Sequence, residues 1–123
     1  MRLLSLLVAI FLSLPLAAAE LAYDLQPRQI AADTWLLEGS TENFAASNGG
    51  NIVNVAFIVT EAGVVLIDTG ISKRYGEALR AAIGRVTDKP IALVINSHHH
   101  LRGKNKKNCL PGMEGGTVHL PMI

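Results

Sequence analysis

Residues 52–70, IVNVAFIVTEAGVVLIDTG, are the most strand-like part of the sequence. Val, Ile, Phe and Thr dominate on both sides of Glu-Ala-Gly at residues 61–63, and such residues favour β-strands. The short break that contains a glycine predicts a tight hairpin connection between two strands. Both strands are almost continuously apolar instead of alternating, which is typical of a sheet that is covered on both faces.

A helix and another strand follow directly. Ser72 is a plausible N-cap, and an apolar stripe at helical spacing runs from there towards residues 88–90, where Asp-Lys-Pro ends the helix. The stripe consists of Tyr75, Leu79, Ala82, Ile83 and Val86. Residues 91–96, IALVIN, predict another short strand, which is apolar up to its last residue. A right-handed crossover would place this strand parallel to the one that ends at Asp68, with both carboxyl ends at the edge where open α/β sheets bind ligands.

The flanking segments are less regular. Residues 21–40 predict two short strands, the second around residues 34–38. Residues 41–51 are rich in Asn, Ser and Gly and predict a loop, in which Gly49 and Gly50 can adopt conformations that other residues avoid. Residues 101–123 show neither helical nor strand periodicity, so we predict an irregular tail.

The first 19 residues are typical of a secretory signal peptide: Arg2, a short apolar core and small residues before Glu20. Cleavage after Ala19 would give a periplasmic or secreted protein that is not held in the membrane. A membrane anchor is the alternative, but Ser5, Ser13 and Pro15 interrupt a segment that is shorter than the ~20 residues needed to span a bilayer.

The charge and the cysteine content limit the classes of function that this protein can have. The formal net charge is +1, so no strong basic field indicates nucleic-acid binding. The charges are unevenly placed: residues 20–100 contain 6 Lys/Arg and 9 Asp/Glu, whereas residues 101–123 contain 4 and 1. The basic cluster RGKNKKN at residues 102–108 could bind phosphate or nucleic acid, but without interleaved aromatic residues it reads as a solvated tail. A single cysteine, Cys109, cannot form an internal disulfide.

The sequence SHHH at residues 97–100 carries the clearest chemical signal. In an extended segment, side chains two residues apart point the same way, so His98 and His100 can converge on one metal while His99 points elsewhere. Imidazole is a good zinc ligand near neutral pH. Asp68 should lie level with this segment at the end of the neighbouring strand, where it either caps the following turn or helps to hold the site.

These features resemble the N-terminal half of the metallo-β-lactamase superfamily. The resemblance is carried by VAFIVTEAGVVLIDTG, the helix that follows and IALVINSHHH, and it covers roughly residues 23–100. The segments YDLQPRQIAADTWLLEGSTENF and RYGEALRAAIGRVTDKP look closest to the exported branch called quinoprotein relay system zinc metallohydrolases. The resemblance implies an α/β fold, half of an αββα sandwich with a mixed sheet and one crossover helix. It also implies one or two zinc ions and a small-molecule substrate.

Residue by residue, His98 and His100 match the first two histidines of the family signature H-x-H-x-D-H, both ligands of one zinc. Asp68 matches a carboxylate that supports the site from outside the direct ligands. The aspartate of the signature falls on Arg102 and its third histidine on Gly103. Arginine cannot ligate a cation and its charge opposes a second zinc.

A catalytic zinc site has three protein ligands, and two histidines are fewer than that. We therefore expect zinc to bind weakly, and we assign no catalytic residue. His119 and Cys109 can ligate zinc, but neither has a family spacing, and both are expected to be incidental.

The predicted organisation is therefore a signal peptide at residues 1–19, a partial metallo-β-lactamase-like domain at 20–100 and a non-homologous tail at 101–123. The implied function is that of an exported zinc hydrolase. We expect the protein to be inactive as written, because its family-like sequence is truncated after His100, for instance by a frameshift. The alternatives are a periplasmic fragment that binds a metal or a partner without catalysis, and a degraded pseudogene product. One helix cannot cover both faces of the sheet, so we also expect self-association through the uncovered face.

Overall fold

A computed structural model describes residues 21–97 and the backbone of residues 116–119. These residues form six strands and one helix. The elements are β1 (Arg28–Ala31), β2 (Thr34–Leu37), β3 (Val55–Thr60), β4 (Gly63–Ile67), α1 (Lys73–Gly84), β5 (Ile91–Asn96) and β6 (Gly116–His119). The strands form one sheet in the order β1-β2-β3-β4-β5-β6. The pairs from β1 to β4 are antiparallel, whereas β5 lies parallel to β4 and β6 parallel to β5. The predicted mixed sheet with one crossover helix is confirmed.

The β3–β4 hairpin turns where the sequence predicts it. Thr60 pairs with Gly63, so only Glu61 and Ala62 connect the two strands. Gly63 has φ 132°, and a Cβ atom built there would lie 2.7 Å from the carbonyl oxygen of Pro90. Because L side chains rarely adopt this φ and the space is filled by backbone, glycine is required at this turn.

Helix α1 begins at the predicted cap. The hydroxyl oxygen of Ser72 accepts a hydrogen bond from the backbone N–H of Tyr75 at 3.1 Å, which satisfies one of the free N–H groups of the first turn. The predicted apolar stripe is buried against the sheet, apart from Val86, which is partly buried and packs on the same core. The helix therefore covers one face of the sheet, here called the helix face.

The helix face contains the hydrophobic core. Strand residues alternate between the two faces, and the alternate positions that pack under α1 are almost completely buried. They are Leu37, Val55, Phe57, Val64, Leu66 and Val94. At one side of this core, the rings of Trp35 and Phe57 stack with centroids 5.4 Å apart. The N-terminal segment closes the other side of the helix, since Leu25 is buried and the Tyr23 ring meets Tyr75 edge-on at 5.1 Å.

The opposite face of the sheet, here called the open face, is apolar but only half-buried. The strand registers bring seven side chains to it, all of intermediate exposure. They are Leu36, Ala56, Ile58, Val65, Ile67, Leu93 and Ile95. None of the seven elements found in residues 21–97 and 116–119 packs against it. Coverage of both faces, expected from the continuously apolar strands, is therefore not found within this part of the chain.

Strand β6 departs from the sequence prediction. Residues 116–119 were expected to belong to an irregular tail, but their backbone extends the sheet beside β5. Thr117 and Val118 are the only strand-favouring residues in this short segment, so the local signal is weak. Pairing with the edge of β5 supplies the backbone hydrogen-bond partners that such a segment lacks by itself.

Within the described residues, no helix is both long and apolar enough to span a membrane. The predicted signal peptide, residues 1–19, lies outside the described part of the chain, as does residue 20.

Candidate functional site

Asp68 occupies the first position after β4, at the carboxyl edge of the sheet. It is 7% exposed, and its backbone N–H donates to the carbonyl oxygen of Ile95 at 2.7 Å. Its φ is 62°, the left-handed region that non-glycine residues seldom enter. This conformation costs roughly 1–2 kcal/mol for an L-residue, although Asp and Asn tolerate it better than other residues. A strained, buried carboxylate at the ligand-binding edge is a feature typical of functional sites.

The carboxylate of Asp68 holds the first residue after β5. One oxygen accepts from the backbone N–H of Ser97 at 2.8 Å, and the other accepts from the Ser97 hydroxyl. Hydrogen bonds to an ionised acceptor are stronger than neutral ones. These contacts join the carboxyl ends of β4 and β5. Asp68 thereby fixes the residue that directly precedes His98.

Asn96, the last residue of β5, was not singled out by its sequence. Its side chain is 2% exposed, and neither its oxygen nor its nitrogen finds a hydrogen-bond partner in the described part of the chain. A buried polar group left unpaired costs about 1–3 kcal/mol. The only signal in the sequence is a polar residue that closes an otherwise apolar strand, and this pattern does not distinguish a buried amide from an exposed one.

Tyr75 lies beneath the same edge, in the first turn of α1. Its ring presses on Gly70, where a Cβ atom would come within 1.7 Å of a ring carbon. Burial, and secondarily the neighbouring Tyr23, raises the pKa of Tyr75 to about 12. Its hydroxyl has no partner among residues 21–97. Tyr75 therefore stays neutral at physiological pH and acts as a packing residue that seats the helix against residues 68–70.

The loop before β3 also reaches this edge. Gly49 and Gly50 have φ 57° and 78°, which confirms the prediction that these glycines take conformations other residues avoid. The carbonyl oxygen of Gly49 accepts from the Tyr23 hydroxyl at 2.8 Å. A Cβ on Gly50 would lie 2.3 Å from the side chain of Ile71. The glycine pair thus allows the loop to pack closely over the connection between β4 and α1.

The predicted metal ligands His98 and His100 lie outside the described residues, as do Cys109 and the positions Arg102 and Gly103 that depart from the signature. In residues 21–97 no three His, Cys, Asp or Glu side chains lie together as a metal site would require. The backbone of His119 is described, and it pairs in register with Asn96 as the last residue of β6. His119 is therefore at the same edge of the sheet as Asp68 and Ser97.

The sequence predicts a zinc site at this edge, where the described residues contribute the hydrogen bonds between Asp68 and Ser97. Zinc ligands from histidine are normally oriented by hydrogen bonds from residues around them. The Asp68 carboxylate accepts a hydrogen bond from the backbone N–H of Ser97, the residue immediately before His98. Imidazole nitrogens, the donors that His98 and His100 would supply, suit zinc.

Part of the chain is similar to known proteins. Residues 48–101, which include β3, β4, α1 and β5, match the family model of the metallo-beta-lactamase superfamily. No curated protein matches the sequence. Among solved structures, the chain is similar to Tm1679, described as a metal-dependent hydrolase of the beta-lactamase superfamily, with 12% identity and a TM-score of 0.44. That similarity covers 77% of this chain and 53% of the other, so the chain spans about half the length of that structure. Residues 48–101 are therefore similar to part of the metallo-beta-lactamase superfamily.

Proposed function

We propose that this chain carries the N-terminal part of an exported zinc hydrolase of the metallo-β-lactamase superfamily, and that it binds zinc weakly and lacks hydrolytic activity as written. The observation that carries the proposal is the Asp68–Ser97 contact. It joins the ends of two parallel strands at the edge where the sequence delivers His98 and His100. The family match over residues 48–101 supports the superfamily. We further propose that the chain belongs to the quinoprotein relay system branch, which its segments at residues 23–44 and 74–90 resemble.

In this proposal His98 and His100 hold the zinc ion, and Asp68 fixes the start of the segment that carries them. Zinc, when bound, supplies a Lewis acid for hydrolysis of an ester, amide or thioester-like bond in a small molecule. The chain's own residues orient the ligands through the anchored backbone at Ser97. Arg102 stands where the signature has an aspartate, and its positive charge disfavours a second cation. Hydrolysis therefore lacks the groups that the family uses to complete the site.

Zinc titration by calorimetry tests the proposal. The unmodified chain should bind one zinc weakly, and His98→Ala should abolish the binding. His99→Ala is the matched control, because the neighbouring histidine is expected to point away from the metal and should leave the affinity within about twofold. Absence of zinc binding in the unmodified chain, or equal losses in both variants, would contradict the proposed metal site.

Activity is tested separately with ester, thioester and β-lactam substrates. We expect turnover no faster than the zinc-containing buffer, with no change on adding a chelator. Chelator-sensitive hydrolysis at an enzyme-like rate, in the range of 1–10³ per second, would overturn the inactivity part of the proposal and leave the family assignment intact.

A second candidate is a periplasmic module that binds a metal or a partner without catalysis. The open face favours it, since its seven aliphatic side chains are only half-buried. Apolar patches of this kind mark interaction or aggregation surfaces. We propose self-association of the chain through the open face. Export through residues 1–19, with cleavage after Ala19, belongs to both candidates, and the N-terminal sequence of the secreted protein tests it.

A further inference from the structure

A cleft lies between the segment at residues 21–27 and helix α1. Its volume is about 330 Å³, and it opens to solvent. The residues that line it in the described part of the chain are Leu21, Ala22, Tyr23, Arg74 and Ala78. The hydrogen bonds that join the ends of β4 and β5 involve Asp68 and Ser97 and none of these five. The cleft is therefore not accounted for by the proposed zinc site.

Contacts at two points hold the segment at residues 21–27 in place beside α1. Near the first turn of the helix, the Tyr23 hydroxyl donates to the carbonyl oxygen of Gly49 at 2.8 Å, and its ring meets Tyr75 edge-on. At the other end of the helix, Leu25 is buried, and its carbonyl oxygen accepts a hydrogen bond from the Arg85 guanidinium. Because its walls are already fixed, the cleft can bind a ligand at a low cost in conformational entropy.

The lining of the cleft combines one cation with apolar surface. Leu21, Ala22 and Ala78 have aliphatic side chains, and Tyr23 has an aromatic ring. Arg74 is the only charged residue among the described residues that line the cleft. Its guanidinium carries its N–H donors in a planar fork, which matches the two oxygens of a carboxylate. Apolar walls with few polar groups are typical of small-molecule sites, which occupy roughly 300–1,000 Å³.

The position of Arg74 in the helix also favours a bound anion. Lys73 and Arg74 lie in the first turn of α1, which contains no acidic residue. The N-terminal end of a helix has a partial positive charge, so anions are stabilising there and cations are not. The Lys73 ammonium lies 3.8 Å from the carboxylate of Glu77, but Glu77 is not among the residues that line the cleft. A carboxylate bound beside Arg74 would offset the positive charge of this turn.

We propose that the cleft binds a small monocarboxylate with a short apolar body. The carboxylate pairs with the Arg74 guanidinium, and the apolar body lies against Leu21, Tyr23 and Ala78. Binding is non-covalent and independent of the proposed zinc ion. The cleft is at the small end of the range for ligand sites, so a short-chain acid fits better than a long-chain one. The ligand contacts both α1 and the segment at residues 21–27, and so should stabilise the folded chain.

NMR titration of the full, isotope-labelled chain with hexanoate tests the inference, with hexanamide as the neutral ligand of the same chain length. Hexanoate should bind with a Kd on the order of 1 mM and shift the amide signals of residues 21–23 and 74–78. Hexanamide should bind about tenfold more weakly, because it cannot form charge-assisted hydrogen bonds to both nitrogens of the guanidinium.

Two variants separate Arg74 from the general charge of the first turn. Arg74→Gln should weaken hexanoate binding by about tenfold, since the guanidinium is lost. Lys73→Gln is the matched control, because it removes the same charge from the same turn at a residue that does not line the cleft. Its Kd should stay within about twofold of the unmodified chain, because an exposed charge outside the cleft is screened. Hexanoate should raise Tm in Lys73→Gln but not in Arg74→Gln.

Ala78→Leu tests the cleft itself. The larger side chain fills part of the volume and leaves Arg74 in place, and leucine is a good helix former, so the variant should fold but lose hexanoate binding. Circular dichroism without ligand shows whether each variant keeps the fold. Should Ala78→Leu fail to fold, the comparison of Arg74→Gln with Lys73→Gln decides alone.

Three results would overturn the inference. Equal affinities for hexanoate and hexanamide would show that the carboxylate is not recognised. Equal weakening by Arg74→Gln and Lys73→Gln would show that only the overall charge of the turn matters. Absence of hexanoate binding in the unmodified chain would show that the cleft is not a carboxylate site. None of these results bears on the zinc titration, so the proposed function is tested separately.

Discussion

Asp68 illustrates how one residue can connect two strands at a cost to its own conformation. Its left-handed φ is unfavourable, yet it aims both carboxylate oxygens at Ser97 on the neighbouring strand end. Charge-assisted hydrogen bonds of about 1.5–3 kcal/mol offset the strain.

Two substitutions at Asp68 separate its charge from its conformation. Asp68→Asn keeps the shape and one acceptor and tolerates the left-handed region, so it should lower the free energy of unfolding by about 1 kcal/mol. Asp68→Ala loses both acceptors and also the short polar side chain that makes this φ tolerable, so it should cost about 3 kcal/mol. Urea denaturation followed by circular dichroism measures both. If both variants were as stable as the unmodified chain, the Ser97 contact would make no contribution to stability.

The residues of the candidate site could be predicted only in part. The position of Asp68 follows from topology, because a strand, a helix and a second strand place two carboxyl ends at one edge. Its partner Ser97 depends on the register between β4 and β5, which the two uniformly apolar strands do not encode. Asn96 escaped prediction for a similar reason, since burial at a strand end depends on what packs over it.

At the scale of elements, the first turn of α1 depends on an aromatic residue with an unusual property. The Tyr75 ring fills the space above Gly70 and meets Tyr23 edge-on, and its hydroxyl is buried. Burial disfavours the phenolate, which is why the pKa of Tyr75 is raised to about 12. The packing of α1 against residues 68–70 therefore depends on Tyr75 being protonated.

The raised pKa predicts a loss of stability at alkaline pH. Between pH 10 and 12 the unfolded chain releases the Tyr75 proton while the folded chain retains it. The contribution of Tyr75 to the free energy of unfolding is fully present below pH 10. It should therefore fall by about 2–3 kcal/mol as the pH approaches 12. Tyr75→Phe keeps the ring and should remove this part of the pH dependence. Urea titrations at pH 8, 10 and 11.5 measure it.

Tyr23→Phe is the matched control at the same contact. Its hydroxyl donates to Gly49, so its removal should cost about 1 kcal/mol already at pH 8. Tyr75→Phe should be close to neutral at pH 8, because the hydroxyl it removes has no partner among residues 21–97. An alkaline loss of stability that is identical in Tyr75→Phe and the unmodified chain would refute the assignment to Tyr75.

Elements with a strong local pattern are those that the sequence predicts. The β3–β4 hairpin, α1 and β5 each combine an apolar run of suitable length with a clear boundary, at residues 61–63, Ser72 and Pro90. Strand β6 has no such pattern. Its four residues form a strand because β5 offers an unpaired edge, and that interaction is between segments distant in sequence. Local periodicity in the sequence therefore cannot predict the pairing of β6 with β5.

For the molecule as a whole, the sheet has two unlike faces. The helix face is closed by α1 and by the N-terminal segment around Leu25, and its strand residues are almost fully buried. The open face has equally apolar side chains that remain half-buried in the described part of the chain. Continuous apolar strands usually belong to sheets with both faces covered. The amino-acid pattern of β3, β4 and β5 thus calls for a second layer that residues 21–97 do not provide.

A second copy of the chain can provide that layer, because two sheets pack face to face at about 10 Å with interdigitated side chains. We expect the chain to self-associate in a concentration-dependent way, and Val65→Lys to weaken the association at least tenfold. Val65 faces Ile58 and Leu93 at the centre of the open face, where an ammonium group would be desolvated in the associated state.

Sedimentation velocity over a hundredfold range of concentration measures the association. Ile30→Lys is the control, since it makes the same kind of charge change on β1 at a side chain that is already 50% exposed. It should leave the association unchanged, while circular dichroism confirms that both variants keep the fold. A monomer at every concentration in the unmodified chain, or equal effects of the two lysines, would show that the open face does not bind a second copy. The half-buried aliphatic side chains would then be tolerated as exposed surface, against the tendency of apolar patches of this kind to drive association.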